Sequence, residues 1–168
     1  PAVSDMIEVW STICHTDLYA GYAKELDTHA DMLTPVLRAI MQKGKDTTGA
    51  QYAMSIWALQ RIKAQMEGLF EYFDLLITPT LGVSPFNIKQ VRQEYTTPGR
   101  FLEALSAFCP LANITGSPSA SVPCGFTSDG LPVGLLITGK LGDDSLVLRA
   151  SASFEEIVPW GKHRPALV

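Results

Sequence analysis

Hydrophobic residues recur every three or four positions over one long segment in the first half of the chain, a spacing typical of an amphipathic helix. We predict this helix from about residue 49 to residue 72, with capping oxygens available from Asp46, Thr47 and Thr48. Polar residues fall mainly on the opposite side, so we interpret the apolar side as core rather than as a face for a partner. The apolar stripe comprises Tyr52, Ile56, Leu59, Ile62, Met66, Leu69 and Phe73.

Two helices are predicted before that segment. The first lies within residues 3–30, where apolar residues again follow helical spacing. The second begins at Pro35, because Thr34 is a favoured N-cap and proline is favoured at the first helical position. Gly44 is predicted to end it, since glycine commonly follows the last helical turn. The stripe of the first helix consists of Met6, Trp10 and Ile13.

Three short apolar runs predict β-strands at residues 74–78, 118–124 and 133–138. The third run is apolar at nearly every position, so both of its faces need cover, and we expect it inside a sheet flanked by helices. The first run is also expected to be buried. Turn-forming residues separate the second and third runs, including Asp129-Gly130, but this loop is too long for a two-residue hairpin.

The remaining segments complete an α/β pattern. Residues 80–99 form a long irregular connection, residues 100–108 a short helix, and residues from 143 onward a final helix with an acidic start. The order of elements predicts a three-layer α/β/α arrangement with only part of its sheet present. The chain opens within a helical pattern and without an initiator methionine, so we expect the native polypeptide to extend further toward the N-terminus.

Composition narrows the functional classes. The chain has 168 residues, of which 46% are hydrophobic and 18% charged, with a formal net charge of −4. This balance offers no basic surface for nucleic acid, and no apolar run reaches the roughly 20 residues of a membrane span. No signal peptide is recognised at the start. The three cysteines form no C-x-x-C pair, so we expect free thiols and a cytoplasmic protein.

Alternating serines in the second strand are the first candidates for chemistry. A serine nucleophile requires an adjacent base and oriented oxyanion donors, and the G-x-S-x-G elbow does not occur in this sequence. Small residues at alternate positions lie on one face of a strand, where they permit close packing. We therefore interpret Ser117, Ser119 and Ser121 as structural.

The other reactive residue types do not form a recognisable site either. The three histidines lie far apart in the sequence and lack the spacing of metal ligands. Cys124 has apolar neighbours and no cationic neighbour that would lower its pKa, so we interpret it as a buried, inert thiol. Asp74 is interpreted as a residue that starts or caps a strand. We therefore expect no metal, no cofactor and no self-contained active site.

Three segments of the chain resemble the C-terminal part of the amidase signature family. They are DLLITPT at residues 74–80, ANITGSPSASVPCG at residues 112–125 and GLPVGLLITG at residues 130–139, followed by an acidic turn that opens a helix. The resemblance covers residues 35–165 and is specific in order and spacing. Residues 1–34 match only as a helical lead-in, and we treat residues 1–168 as the C-terminal part of one amidase-signature domain.

The resemblance implies amide hydrolysis, or transfer of ammonia from an amide, through an acyl-enzyme on serine. Members of the family use a Ser–cis-Ser–Lys triad, together with backbone N–H donors for the oxyanion. It also implies a mixed central sheet. In the family the triad and these donors lie upstream of the region matched here, so no residue of this chain is assigned a catalytic role.

The resemblance leaves this chain a supporting role around the substrate. Loops at strand ends are where α/β proteins bind ligands. We therefore take Thr78, Pro79, Thr80 and Phe86 as candidates for the substrate pocket, with the loop at residues 79–99 influencing which acyl group or amine is accepted. Replacement of Phe86 by Ala in the full-length enzyme is expected to change relative kcat/KM between substrates.

Three functions remain open at this point. The chain is interpreted first as the C-terminal part of a serine amidase, inactive alone, whose substrate is a small amide. The alternatives are the amidotransferase component that supplies ammonia for tRNA-dependent amidation, and a non-catalytic binding or assembly module. We expect no direct contact with nucleic acid or membrane, and either self-association or a partner subunit, because an incomplete sheet exposes apolar surface.

Overall fold

The computed structural model describes residues 3–84, 88–89 and 107–161, and the side chains from residue 6 onward within these ranges. The described residues form two compact units. Residues 3–64 with residues 88–89 form a helical unit, and residues 65–84 with 107–161 form a unit built around a sheet. The predicted helix at 100–108 falls almost wholly outside the described residues, as does Phe86. None of the described helices is long and apolar enough to cross a membrane.

The first two helices pack against each other at a glycine. Helix α1 spans Val3–Thr28 with a kink at Tyr22, a short 3-10 helix follows at Ala30–Met32, and helix α2 spans Pro35–Asp46. Thr34 caps α2 as predicted, since its hydroxyl accepts a hydrogen bond from the Leu37 N–H at 3.3 Å. The prediction that Gly44 ends α2 is wrong. Gly44 is buried inside the helix, where the backbone of α1 leaves no room for a side chain.

Helix α3 spans Gly49–Leu69, close to the predicted range. A reciprocal capping box begins it: the Thr48 hydroxyl accepts from the Gln51 N–H at 3.2 Å, while Gln51 Oε1 accepts from the Thr48 N–H at 2.8 Å. Two N–H groups that no helical carbonyl can reach are thereby satisfied. Ile62 and Met66 of the predicted stripe are buried, whereas Phe73 lies beyond the helix and is 61% exposed.

Within the described ranges the sheet has three strands in the order β1-β3-β2, and their pairings are antiparallel. Strand β1 spans Leu75–Pro79, β2 spans Ser119–Phe126 and β3 spans Pro132–Gly139. Strands β2 and β3 form a hairpin whose loop is closed by hydrogen bonds from the Thr127 N–H to the Leu131 carbonyl and from the Gly130 N–H to the Thr127 carbonyl, of 2.8 and 3.0 Å. The prediction that the third apolar run lies inside the sheet is confirmed, because β3 is the central strand and its second half is buried.

Two helices accompany the sheet. Helix α4, at Cys109–Thr115, was not predicted; it ends on Gly116, which adopts the left-handed conformation that glycine accommodates without strain (φ 78°). Helix α5, at Asp144–Ile157, packs on β2 and β3. The core of this unit consists of Val122, Ile137 and Val147, surrounded by the partly buried side chains of Leu75, Ala120, Leu135, Ala150, Phe154 and Trp160.

The first strand is less buried than its sequence indicates. An uninterrupted apolar run predicts cover on both faces, yet Ile77 of β1 is 50% exposed. Among the described strands β1 has a single neighbour, β3, and α5 packs on the other two strands. The prediction of a buried first strand is therefore wrong for the chain as described.

Candidate functional site

The predicted pocket residues lie where β1 ends. Thr78 is half-buried within the strand, Pro79 is its last residue and is exposed, and half-buried Thr80 follows it directly. Pro79 has no N–H, but the next residue continues the ladder, since the Thr80 N–H donates to the Gly134 carbonyl at 2.9 Å. Thr78, Pro79 and Thr80 are thus consecutive residues at one strand end, and none of them is among the described residues that line the adjoining cavity. Phe86 lies outside the described residues.

Thr80 is held at each of its polar groups. Its N–H bonds to the Gly134 carbonyl, its hydroxyl lies 2.6 Å from the Ser121 hydroxyl, and its carbonyl accepts from the Cys109 thiol at 3.3 Å. The three partners come from β3, β2 and α4. Sequence reasoning singled out Thr80 and Ser121 separately but gave no signal that they meet.

A cavity of about 290 Å³ opens immediately beyond Thr80. One wall is the start of the predicted long loop, at residues 81–84, and the other is the mouth of the β2–β3 hairpin. The prediction of a pocket beside this loop missed the hairpin wall, although the turn residues there were recognised. The described lining consists of Leu81, Gly82, Val83, Ser84, Thr127, Pro132, Val133 and Gly134, none of them charged.

The alternating serines make structural hydrogen bonds to threonines. The Ser119 hydroxyl lies 2.8 Å from the Thr138 hydroxyl, and Ser117 Oγ accepts from the Thr115 hydroxyl at 3.0 Å. Together with the Thr80–Ser121 bond, these contacts pair every one of the three serines with a hydroxyl rather than with a basic side chain. A neutral hydroxyl is a poor general base, so this arrangement does not activate a serine for attack.

Three side chains with shifted pKa values lie in the helical unit. Burial, and secondarily Lys43, lower the pKa of His15, while burial followed by the charge of Asp17 raises the pKa of the Cys14 thiol. The Tyr52 hydroxyl donates to Asp17 Oδ1 at 2.8 Å, and this hydrogen bond is the main cause of its raised pKa. A raised thiol pKa disfavours the reactive thiolate, so Cys14 is not an activated nucleophile.

Metal binding has no support within the described ranges, where no group of three or more His, Cys, Asp and Glu side chains comes together.

Cys124 lies at the bulge of β2 and is half-buried rather than fully buried, with its thiol 3.5 Å from the Val133 carbonyl. The described site is therefore a neutral cavity bounded by a hydrogen-bonded strand end, without a nucleophile and base in contact.

A family model described as Amidase matches residues 15–148 of this chain. The chain belongs to the amidase signature family. The match begins within the segment that the sequence resemblance treated as a lead-in, and it includes all three strands and the cavity.

Two curated relatives of this chain carry the names of different activities. The chain is 38% identical over 96 residues to an acylamidase of Rhodococcus erythropolis, covering 56% of this chain and 20% of that protein. It is 39% identical over 106 residues to a glutamyl-tRNA(Gln) amidotransferase subunit of Geobacillus stearothermophilus, covering 63% of this chain and 21% of that protein. The chain thus spans about a fifth of the length of these relatives.

A solved structure gives the same assignment. The chain superimposes on a bacterial aryl acylamidase of the amidase signature family with a TM-score of 0.77 and 25% identity. The superposition covers 98% of this chain and 37% of that one. The predicted α/β fold class is confirmed, and the chain corresponds to a part of the larger fold of the amidase signature family.

Proposed function

We propose that this chain is the C-terminal part of an amidase that hydrolyses a carboxylic amide to an acid and ammonia or an amine. In this reaction a serine oxygen upstream of the chain bonds to the amide carbon, the C–N bond breaks, and the nitrogen leaves with a proton delivered through the triad. Water then cleaves the acyl ester, which releases the acid and returns the proton to the serine. The family match over residues 15–148 is the observation that carries this proposal.

The chain's own contribution is proposed to be one wall of the substrate pocket. The cavity of about 290 Å³ is close in size to small-molecule sites, and Thr80 leads directly into Leu81, the first residue of its lining. Thr78 and Pro79 precede Thr80 in β1 and are retained as candidates that border this wall, although none of the three is among the described lining residues. Phe86, which lies outside the described residues, is kept as a fourth candidate on the basis of its position in the sequence alone. In this proposal these residues border the pocket and shape its wall; they do not take part in bond making or breaking.

The neutral lining of the cavity favours an uncharged substrate group. Leu81, Val83 and Pro132 offer apolar surface, while Ser84 and Thr127 offer hydroxyls. Burying an ionised group without a partner of opposite charge is costly, so a cavity of this composition suits a neutral acyl or amine group. We therefore propose neutral carboxylic amides as the substrate class.

A second candidate function is supported by the relative named as a glutamyl-tRNA(Gln) amidotransferase subunit, at 39% identity. A protein of this kind would release ammonia from an amide for transfer within a complex, so it would require a partner subunit. A donor such as free glutamine carries an ammonium and a carboxylate, and both need charged partners when bound. The uncharged described lining therefore favours the amidase over this alternative.

The activity is tested with the full-length product of the reading frame that encodes this chain, compared with the 168-residue chain alone. We expect the full-length protein to release ammonia from a neutral amide such as benzamide, with kcat/KM at least about tenfold higher than for L-glutamine. The shorter chain is expected to give no release above a mock preparation, because the triad lies outside it.

Each result of this comparison has a defined meaning. Turnover by the isolated chain that is lost on Ser117→Ala, Ser119→Ala or Ser121→Ala would contradict the upstream position of the catalytic residues. A preference for glutamine that depends on a co-purified subunit would favour the amidotransferase function. Absence of turnover by the full-length protein on any amide would favour the non-catalytic module.

The pocket wall is tested by shortening its side chains in the full-length protein. Leu81→Ala is expected to change the ratio of kcat/KM between a small and a large neutral amide by about tenfold, since it removes apolar contact from the wall. A change in the same ratio is expected for Phe86→Ala, which is chosen from its position in the sequence alone. Leu148→Ala is the matched control, because Leu148 lies on α5, is 66% exposed and does not line the cavity. Equal ratios for all three variants would contradict the assignment of this wall.

A further inference from the structure

The hydroxyl pair of Thr80 and Ser121 crosses the central strand of the sheet. Thr80 continues β1 and Ser121 belongs to β2, while β3 lies between these strands. Strands that flank a third strand are about 9.6 Å apart, twice the spacing of neighbours, so their short side chains do not normally meet. Here the two oxygens are 2.6 Å apart.

A glycine in the central strand makes this contact possible. A Cβ atom on Gly134 would lie 2.7 Å from Thr80 Oγ1 and 2.9 Å from Ser121 Oγ. Any other residue at this position would therefore push the two hydroxyls apart. The Gly134 carbonyl also accepts the hydrogen bond of the Thr80 N–H, so this glycine supports Thr80 from two directions.

The bonds at Thr80 act on the residues that follow it. The Thr80 carbonyl, held by the Cys109 thiol, belongs to the peptide group that leads into Leu81, and residues 81–84 form one wall of the cavity. With its N–H, hydroxyl and carbonyl all bonded, Thr80 has a fixed peptide orientation on both sides. The direction in which the wall leaves the sheet is set at this residue.

We infer that Thr80, through its hydroxyl bond to Ser121 over Gly134, is a positioning residue that fixes the cavity wall and thereby the size of the neutral group that the amidase accepts. This inference rests on the proposed amide hydrolysis for its effect on substrates. The Thr80–Ser121 bond takes no part in strand pairing, so its removal leaves the backbone ladder of the sheet in place.

The test compares substitutions that remove a single hydroxyl, in the full-length protein. Thr80→Val and Ser121→Ala are each expected to change the kcat/KM ratio between a small and a large neutral amide by about fivefold, mainly through KM, with kcat altered by less than about twofold. Thr80→Ser retains the hydroxyl and is expected to restore the wild-type ratio. Ser119→Ala is the matched control, because it breaks the Ser119–Thr138 hydroxyl pair on the same strand, away from the cavity.

Hydrogen exchange of the backbone amides tests whether the Thr80–Ser121 bond fixes the cavity wall, and it requires no measurement of activity. In Ser121→Ala the amides of residues 81–84 are expected to exchange about fivefold faster than in wild type, whereas Ser119→Ala leaves their rates unchanged. Unchanged exchange of these amides in Ser121→Ala would contradict the inference that the Thr80–Ser121 bond fixes the wall, whatever the activity of the variant. Faster exchange with an unchanged substrate ratio would overturn its role in selectivity, and absence of turnover by the wild type would contradict the proposed function alone.

Discussion

Substitution of Gly44 by Ala is expected to lower the free energy of unfolding of the isolated chain by about 3 kcal/mol. A Cβ atom on Gly44 would lie 2.0 Å from the His15 carbonyl oxygen, 2.5 Å from the carbonyl carbon and 2.9 Å from Tyr19 Cβ. The first two are backbone atoms inside α1, so no side-chain rotation relieves the overlap. Helix α2 must move away from α1 or lose its helical geometry.

A second glycine provides a control for which the expected change in the free energy of unfolding has the opposite sign. Gly68 lies in α3, and a Cβ atom there would have no heavy atom within 4 Å. Gly68→Ala is therefore expected to raise the free energy of unfolding by about 0.5–1 kcal/mol, because alanine restricts the unfolded chain and favours the helix. The same chemical change thus has opposite effects at two helical positions.

Urea unfolding followed by far-ultraviolet circular dichroism measures both variants. In thermal unfolding of a chain of this length, a loss of about 3 kcal/mol in the free energy of unfolding corresponds to a fall in Tm of roughly 6–12 °C. Gly44→Ala with the stability of wild type would mean that α1 and α2 are not in close contact at this glycine. Destabilisation by Gly68→Ala of the same size would mean that the effect is one of helical glycines in general.

Gly44 also illustrates what the sequence could not specify. A glycine near the end of an apolar stripe predicts a helix end, because local chemistry is all that the pattern contains. The residue that requires a glycine is His15, which belongs to another helix, so the requirement arises only when α1 and α2 pack. Thr34 was predicted correctly as a cap, and Thr48 was one of three residues offered as the cap of α3, since in both cases the bonding partner lies three residues away.

The candidate site likewise combines local features that the sequence predicted with a contact that it could not predict. The end of β1 and the turn residues after β2 are local features, and both were recognised from the sequence. The bond between Thr80 and Ser121 depends on the strand order β1-β3-β2 and on the missing side chain of Gly134. Strand order is a long-range property that the apolar runs do not encode, so the cavity's hairpin wall could not be predicted.

Strand order also has a measurable consequence for two isoleucines that face each other in the sheet. Ile77 of β1 and Ile137 of β3 are paired in register, yet Ile77 is 50% exposed and Ile137 is 2% exposed. Ile137→Ala is expected to lower the free energy of unfolding by about 2–5 kcal/mol, because it removes buried methyl groups and leaves a cavity beside Val122 and Val147. Ile77→Ala is expected to lower it by only about 1 kcal/mol.

The comparison of these two variants separates burial from strand propensity. Both substitutions replace isoleucine by alanine at paired positions, so the same groups are removed and the difference between them reports how much more packing Ile137 makes than Ile77. Equal losses in urea unfolding would mean that β1 is as well covered as β3. If Ile77→Ala costs about 1 kcal/mol in the 168-residue chain but about 3 kcal/mol in a longer natural protein that contains it, residues outside this chain cover β1 there, because a residue exposed in one context and buried in the other loses correspondingly more contact.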